Sequence, residues 1–520
     1  MKKLLPIGIQ TLSDIINENY IYVDKTEIIY KLISEGRYYF LSRPRRFGKS
    51  LTVSTLYEIF NGNKELFKDL WIYNSNWKWI QYPIIKLDFG EVKESEENVE
   101  SEIERIIKNN SEKNEIELNG NNITAKFSNL IKDLYKKYNQ KVVILVDEYD
   151  KIIVNNLTNS ELAEKNRNHL RYLFSSIKPN DEYIKFCFLT GVSKFAKTSI
   201  FSTLNNIMDI SLNYKYSILC GLTENEILNN YDEYINECAI KHKKNKNKLI
   251  EEIRKWYNGY CFSDNFNPLK VYNPFSIINF FSNFSFKNYW INSGNTKFLF
   301  DFFKLNNYEN LDFENITLNM GDLDKTEIES IKLEALLFQT GYLTIESYSH
   351  ENLKFKLKIP NFEIKYSFFN DLILYIYKNK NDIYFDFLIK IKNLLEKCKF
   401  EELFENLKIY FAGFQYDIKI DRESYYQSLL YALFDLASIR AKTEENTNNG
   451  RIDLIIESEK HFCIIELKLN KTAEEAINQV ENRKYYQKYL KYKKDIYIFG
   501  INFNSEINNI DQYLVKKIKN

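Results

Sequence analysis

Gly450-Arg451-Ile452-Asp453-Leu454-Ile455-Ile456, then a short polar turn, then Phe462-Cys463-Ile464-Ile465-Glu466-Leu467-Lys468: two apolar, β-branched runs that read as a buried hairpin. Side chains alternate faces along a strand, so Glu466 and Lys468 share one face and Leu467 points to the other. A turn symmetric about Glu459 and Lys460 sets Asp453 opposite Glu466, with Cβ atoms roughly 4.5–5.5 Å apart. A slip of one residue would separate them. Two carboxylates so close repel each other unless a cation lies between them, and oxygen ligands with room for water suit Mg²⁺ or Mn²⁺. Such an ion would polarise a phosphate oxygen and lower the pKa of a bound water, while Lys468 would orient that water or offset developing negative charge. The plain alternative is a hairpin with a solvated charged face. Against it, each charge interrupts an otherwise apolar strand, which favours a pocket edge in a mostly buried sheet.

From about Glu402 to Asn520 the chain resembles the PD-(D/E)XK nuclease superfamily, in the form found behind an AAA-ATPase-like domain; Asp453, Glu466 and Lys468 carry the resemblance. It implies a catalytic set of these three, with Asp453 and Glu466 as metal ligands. Upstream, Asp421-Arg422-Glu423-Ser424-Tyr425-Tyr426-Gln427 opens a helical run, and Glu423 matches the acidic residue of the superfamily's first helix, which adds it to the implied catalytic set. A favourable charge in a first helical turn is the other reading of Glu423. Downstream, Gln479, Arg483 and Tyr486 are spaced for one helix face, with Arg483 where relatives carry tyrosine.

An independent signal lies in Tyr38-Tyr39-Phe40-Leu41-Ser42-Arg43-Pro44-Arg45-Arg46-Phe47-Gly48-Lys49-Ser50. An apolar strand, a loop and a helix starting near Lys49 form the setting in which backbone N–H groups and a helix N-terminus receive phosphate. Lys49 would reach the β- and γ-phosphates and Ser50 would ligate Mg²⁺, although Arg43 stands where the general motif has glycine. Val142-Val143-Ile144-Leu145-Val146-Asp147-Glu148 reads as a buried parallel strand with an acidic end. There Asp147 would hold Mg²⁺ through its water shell and Glu148 would polarise the attacking water. Phe186-Cys187-Phe188-Leu189-Thr190 reads as the next core strand, bringing Thr190 or Ser193 within reach of a γ-phosphate, the other reading being a plain strand end at Thr190-Gly191. Gly48 with Arg45 and Arg46 completes the expected nucleotide contacts, the other reading of the two arginines being exposed surface.

These segments, with Pro6-Ile7-Gly8, Tyr22-Val23-Asp24-Lys25-Thr26, Asp147-Glu148-Tyr149-Asp150, Thr190-Gly191-Val192-Ser193-Lys194-Phe195 and Leu204-Asn205-Asn206, resemble the AAA-ATPase-like domain that accompanies this nuclease. The likeness runs from about Leu4 to Asp264, and in that family the arginine-rich loop is the usual form. Tyr257-Asn258-Gly259-Tyr260, Tyr272-Asn273-Pro274-Phe275 and Tyr289-Trp290-Ile291-Asn292-Ser293-Gly294 also match recurring family segments without suggesting a chemical role.

With 72 basic against 71 acidic residues in 520, no global field points to nucleic acid, so any DNA contact must be local. The tail from Arg483 to Lys494 interleaves lysine and tyrosine as a phosphate-contacting surface would, but the same bias runs through the whole chain. Six scattered cysteines suggest reduced thiols rather than zinc or disulfides. No run approaches the roughly 20 apolar residues that span a bilayer, and Met1-Lys2-Lys3-Leu4-Leu5-Pro6 lacks a leader's apolar core, so a cytoplasmic protein with no membrane partner is expected. Thr223 and Glu226 spell a capping box for a lid helix, His242 to Lys248 a solvated loop, and Glu94 to Asn122 an insertion with a solvated helix. Helix plus hairpin between Glu327 and Pro360 suggests a winged-helix module.

The expectation is an α/β multidomain chain: a P-loop AAA-like parallel sheet (1–220), a helical lid (221–300), a winged-helix-like module (301–375) and a C-terminal restriction-endonuclease-like α/β/α domain (376–520). The function it implies is ATP binding and hydrolysis that governs Mg²⁺-dependent DNA cleavage, with a homo-oligomer open. The rival is a nucleotide-dependent nucleic-acid-binding module or signalling switch with a silent nuclease fold; RNA is a third substrate possibility.

Overall fold

Tyr38-Tyr39-Phe40-Leu41-Ser42 offers solvent no polar face, and it forms a strand, β1 (Tyr38–Ser42), buried at every residue. The computed structural model describes residues 2–92, 99–156, 159–194, 204, 206–265, 268–290, 316–323, 332–365, 367–368, 381–412, 423–437, 439–447 and 450–518. Glu94, Phe195, Asn205, Ile291 to Gly294, Glu327, Ile331, Asp421 and Arg422 lie outside them. Two compact units result: residues 1–305 with 315–365, and 306–314 with 366–520.

In the first unit β1, β2 (Ile84–Asp88), β3 (Val142–Asp147), β4 (Ile184–Gly191) and β5 (Met208–Asp209) form a parallel sheet in the order β2-β3-β4-β1-β5. All of β3 is buried, as expected of a strand covered on both faces. From β1 the chain crosses to the far edge and returns through β3 and β4, so β1 and β4 become neighbours where the winding reverses. Ligands of open α/β sheets bind beyond the carboxyl ends of the strands at such a point. The Arg43–Gly48 loop and Asp147 stand there, and helix α1 (Lys49–Phe60) follows Gly48, whose φ of 93° suits glycine.

The second unit carries the sheet β13-β12-β11-β10-β9, from β9 (Arg440–Thr447), β10 (Gly450–Glu457), β11 (His461–Leu469), β12 (Asp495–Asn504) and β13 (Asn509–Ile518). Only β11 and β12 run parallel, and helix α3 (Ala473–Asn482) crosses between them. Helix α2 (Glu423–Leu436) precedes β9.

A third sheet, β6-β8-β7 (Thr317–Asn319, Lys354–Lys358, Thr344–Ser349), accompanies the helix Leu333–Thr340 inside the first unit, giving the expected helix-plus-hairpin with one extra strand. Lys356 and Lys358 of its polar face both pair with Glu346. Three local expectations need correction. Helix Val99–Lys113 is not simply solvated: Ile103, Ile106 and Ile107 are buried and the Asn110 side chain bonds both backbone groups of Lys86 on β2. The lysine-rich run is no plain loop, because Asn245 caps a helix, Lys246–Tyr257, and Lys244 pairs with Glu252. The α3 helix ends at Asn482, so Arg483 and Tyr486 do not continue the face of Gln479. The Thr223–Glu226 capping box forms as the sequence spells it.

Candidate functional site

Strands β10 and β11 pair Leu454 with Ile465, Ile455 with Ile464 and Ile456 with Cys463, the register of a turn centred on Glu459 and Lys460. Continuing it brings Asp453 level with Glu466, and Asp453 Oδ2 accepts the Leu467 N–H at 2.8 Å. Gln427 of α2 donates to the Asp453 carbonyl at 2.6 Å, tying that helix to the strand. Lys468 Nζ lies 3.5 Å from Glu466 Oε1 and 3.9 Å from Glu423 Oε1, and also donates to the Leu467 carbonyl. Asp453, Glu466, Lys468 and Glu423 thus surround one small space.

Glu466 is 1 % exposed. Its Oε1 accepts from Gln479 of α3, while its Oε2 is buried with no hydrogen-bond partner. Burial first, then the charge of Asp453, pushes its carboxyl up to about 8; Lys468 pulls the other way. A buried, unbonded carboxylate oxygen beside a second carboxylate fits a hard divalent cation, which would replace the missing donor and lower that pKa. No group of three or more His, Cys, Asp or Glu side chains converges to hold a metal among the described residues. An ion here would therefore be held by two carboxylates and keep several waters.

Gln479 is a functional candidate whose approach the motif alone left open. Its helix comes close because β12 carries Gly500 level with Glu466. A Cβ at Gly500 would stand 2.3 Å from the Ala473 carbonyl oxygen and 2.9 Å from Ile477 Cγ1. Arg483 turns instead to the Tyr485 hydroxyl, 3.0 Å away.

In the first unit, a cavity of about 600 Å³ is lined by Arg45, Arg46, Gly48, Lys49, Ser50 and Glu148, together with Pro6, Gly8, Tyr22 and Lys25 of the N-terminal segment. Lys49 Nζ donates to the Arg43 and Pro44 carbonyls at 2.9 and 3.0 Å; burial lowers its pKa, opposed by Asp147, Glu148 and Asp150. Asp147 Oδ1 accepts from the Thr190 hydroxyl at 2.5 Å and from the Glu148 N–H at 3.0 Å. Asp147 and Thr190 are buried beside each other and are not among the residues lining the cavity. Ser193 is drawn off by Asp150, whose Oδ2 accepts its hydroxyl at 2.6 Å. Burial also raises the Glu148 carboxyl. A raised carboxyl is a stronger proton acceptor than an ordinary one.

Arg43 is 1 % exposed. Its guanidinium donates to the carbonyls of Ser42, Ser211 and Tyr216, and lies 4.3 Å from the Phe262 ring centre. Burial lowers its pKa to about 10. Where the general motif has a glycine, this chain has a buried strut under the loop. Arg45 and Arg46 stay partly or fully exposed, and Arg46 packs on Phe275. No described helix is long and apolar enough to cross a membrane.

Comparison with known proteins agrees with this geometry. The family model described as a predicted AAA-ATPase matches residues 6–201, and that of the PD-(D/E)XK nuclease superfamily matches residues 421–513. A protein of Azotobacter chroococcum mcd 1, described as an uncharacterized protein in the vnfD 5' region, is 34% identical over 529 residues, covering 99% of both chains. The chain belongs to the family that joins an AAA-ATPase-like domain to a C-terminal domain of the PD-(D/E)XK nuclease superfamily.

Proposed function

We propose that the chain binds and hydrolyses ATP at the Arg43–Ser50 P-loop and that this governs a Mg²⁺-dependent endonuclease acting on DNA through Asp453, Glu466 and Lys468. The single observation that carries the cutting half is the buried, unbonded Oε2 of Glu466, a residue whose carboxyl feels the charge of Asp453 and whose Oε1 lies 3.5 Å from Lys468. Mg²⁺ or Mn²⁺ held there would polarise the phosphate and supply a hydroxide-like nucleophile. Gln479 holds Glu466, Gln427 holds the Asp453 backbone, and Lys468 offers its ammonium to the charge that develops on phosphate. Glu423, 3.9 Å from Lys468, completes the catalytic set by helping to hold that ammonium in place.

On the nucleotide side, Lys49 would exchange its two loop carbonyls for the β- and γ-phosphates, a site open enough in volume for a nucleotide. Ser50 and Asp147 would hold Mg²⁺, Asp147 by way of water, Glu148 would act as base, and Thr190 would sense the γ-phosphate through Asp147. Arg45, Arg46 and Gly48 would complete the cradle. We assign the nucleotide domain to 1–220, the lid to 221–300, the winged-helix-like module to 301–375 and the nuclease domain to 376–520. ATP turnover by the full chain tests the first half: Lys49→Ala should abolish it, and turnover equal to wild type would remove the nucleotide assignment. Divalent-ion-dependent scission of DNA tests the second. DNA binding sensitive to ATP, with no scission by Mg²⁺ or Mn²⁺, would favour a silent switch.

A further inference from the structure

The nucleotide loop presents three consecutive carbonyls. Those of Arg43 and Pro44 accept from Lys49, and that of Arg45 accepts from the indole N–H of Trp290 at 3.1 Å. Trp290 is far from the loop in sequence, and the motif Tyr289-Trp290 has no role in the chemistry described so far. It is itself held from behind. The Glu363 carboxylate accepts the backbone N–H groups of Tyr289 and Trp290 at 2.7 and 2.9 Å and the Ser276 hydroxyl at 2.8 Å. Gly341, which ends the helix Leu333–Thr340 with a φ of 94°, packs where a Cβ would stand 2.7 Å from Pro44 Cβ and 3.2 Å from Trp290 Cζ2. Indole, loop proline and helix end meet in one tight place.

A trans peptide holds its C=O and the following N–H on opposite sides. Pinning the Arg45 carbonyl therefore also sets the direction of the Arg46 N–H, in a stretch where Arg46 has a φ of 69° and Gly48 one of 93°. Successive N–H groups in such left-handed turns form an anion-binding concavity. We infer that Trp290 is a positioning residue of the nucleotide site: its indole N–H fixes the Arg45–Arg46 peptide so that the loop is shaped for phosphate before nucleotide arrives. This rests on the nucleotide reading proposed above. It also gives the helix-and-sheet module containing Gly341 a direct mechanical hold on the loop.

The test uses the full chain and ATP. Trp290→Phe keeps an aromatic ring and removes the donor. Displacement of a fluorescent ATP analogue and steady-state turnover should show Kd and KM for ATP raised about three- to tenfold, with kcat and the nucleotide-free Tm held. A merely structural role would lower Tm and the active fraction, hence apparent kcat, and leave Kd and KM alone; that pattern, or a wild-type Kd, overturns the inference. Should Trp290→Phe fail to fold, a tryptophan analogue with sulfur in place of the indole N–H, introduced at the same position, keeps the shape and asks the same question. Lys49→Ala separates the two levels. If it weakens ATP binding while Trp290→Phe does not, only Trp290 loses its role; if wild type binds no ATP, both readings fall.

Discussion

At the scale of single residues, Glu466 decides most. Its folded-state pKa of about 8 lies above the ordinary carboxyl value of 4.5. The folded chain then binds more protons than the unfolded one between those values, so this group's contribution to stability falls as pH rises through that window. In divalent-free buffer Glu466→Gln should therefore stabilise the second unit by about 2–4 kcal/mol at pH 8 and by little near pH 4.5, while abolishing cleavage when the ion is restored. Thermal melts of both proteins across that range check this; a variant less stable than wild type at pH 8 would show that the carboxylate is not strained. The pair Asp453–Glu466 and the partner Lys468 were legible because period-two alternation and a symmetric turn fix the register. The buried role of Arg43 was not legible, since its partners are backbone carbonyls, including those of Ser211 and Tyr216, far along the chain. The hold of Asp150 on Ser193 was hidden because the two side chains meet across 43 residues of chain.

At the scale of elements, the approach of α3 to the sheet over Gly500 places Gln479 on Glu466. Gly500→Ala puts a Cβ against the Ala473 carbonyl and must push the helix away. It should cost about 1–3 kcal/mol and lower cleavage along with stability; denaturant melts and a cleavage assay read both. In the first unit, Thr223 accepts the Glu226 N–H while Glu226 accepts the Thr223 N–H and pairs with Lys25. Thr223→Ala should cost roughly 1 kcal/mol, seen as a lowered unfolding midpoint. That cap was readable from four residues, because capping is local. The end of α3 was not. Spacing alone let Arg483 and Tyr486 continue the helix, whereas the chain turns at Lys484, which has a φ of 51°.

At the scale of the whole molecule, the two sites lie in separate compact units, each with its own sheet. Their apolar strands made both sheets readable: β3 and β11 are near-continuous hydrophobic runs that only a doubly covered sheet accommodates. The strand order was less accessible, since crossing from β1 to the far edge leaves no mark in any one segment. Because formal charges nearly cancel at +1, DNA affinity should come from a local surface and fall with salt by the few phosphates it contacts. The proposed coupling between the two sites predicts that Lys49→Ala alters DNA cleavage although it lies outside the second unit; cleavage independent of ATP and of Lys49 would leave two uncoupled activities. The proposed function stands on metal-dependent scission at the carboxylate pair. Full-length protein incubated with DNA, ATP and Mg²⁺ or Mn²⁺ should cut, and Asp453→Ala or Lys468→Ala should cut about 100-fold more slowly or not at all, whereas cleavage at the wild-type rate in either variant would remove these side chains from the chemistry.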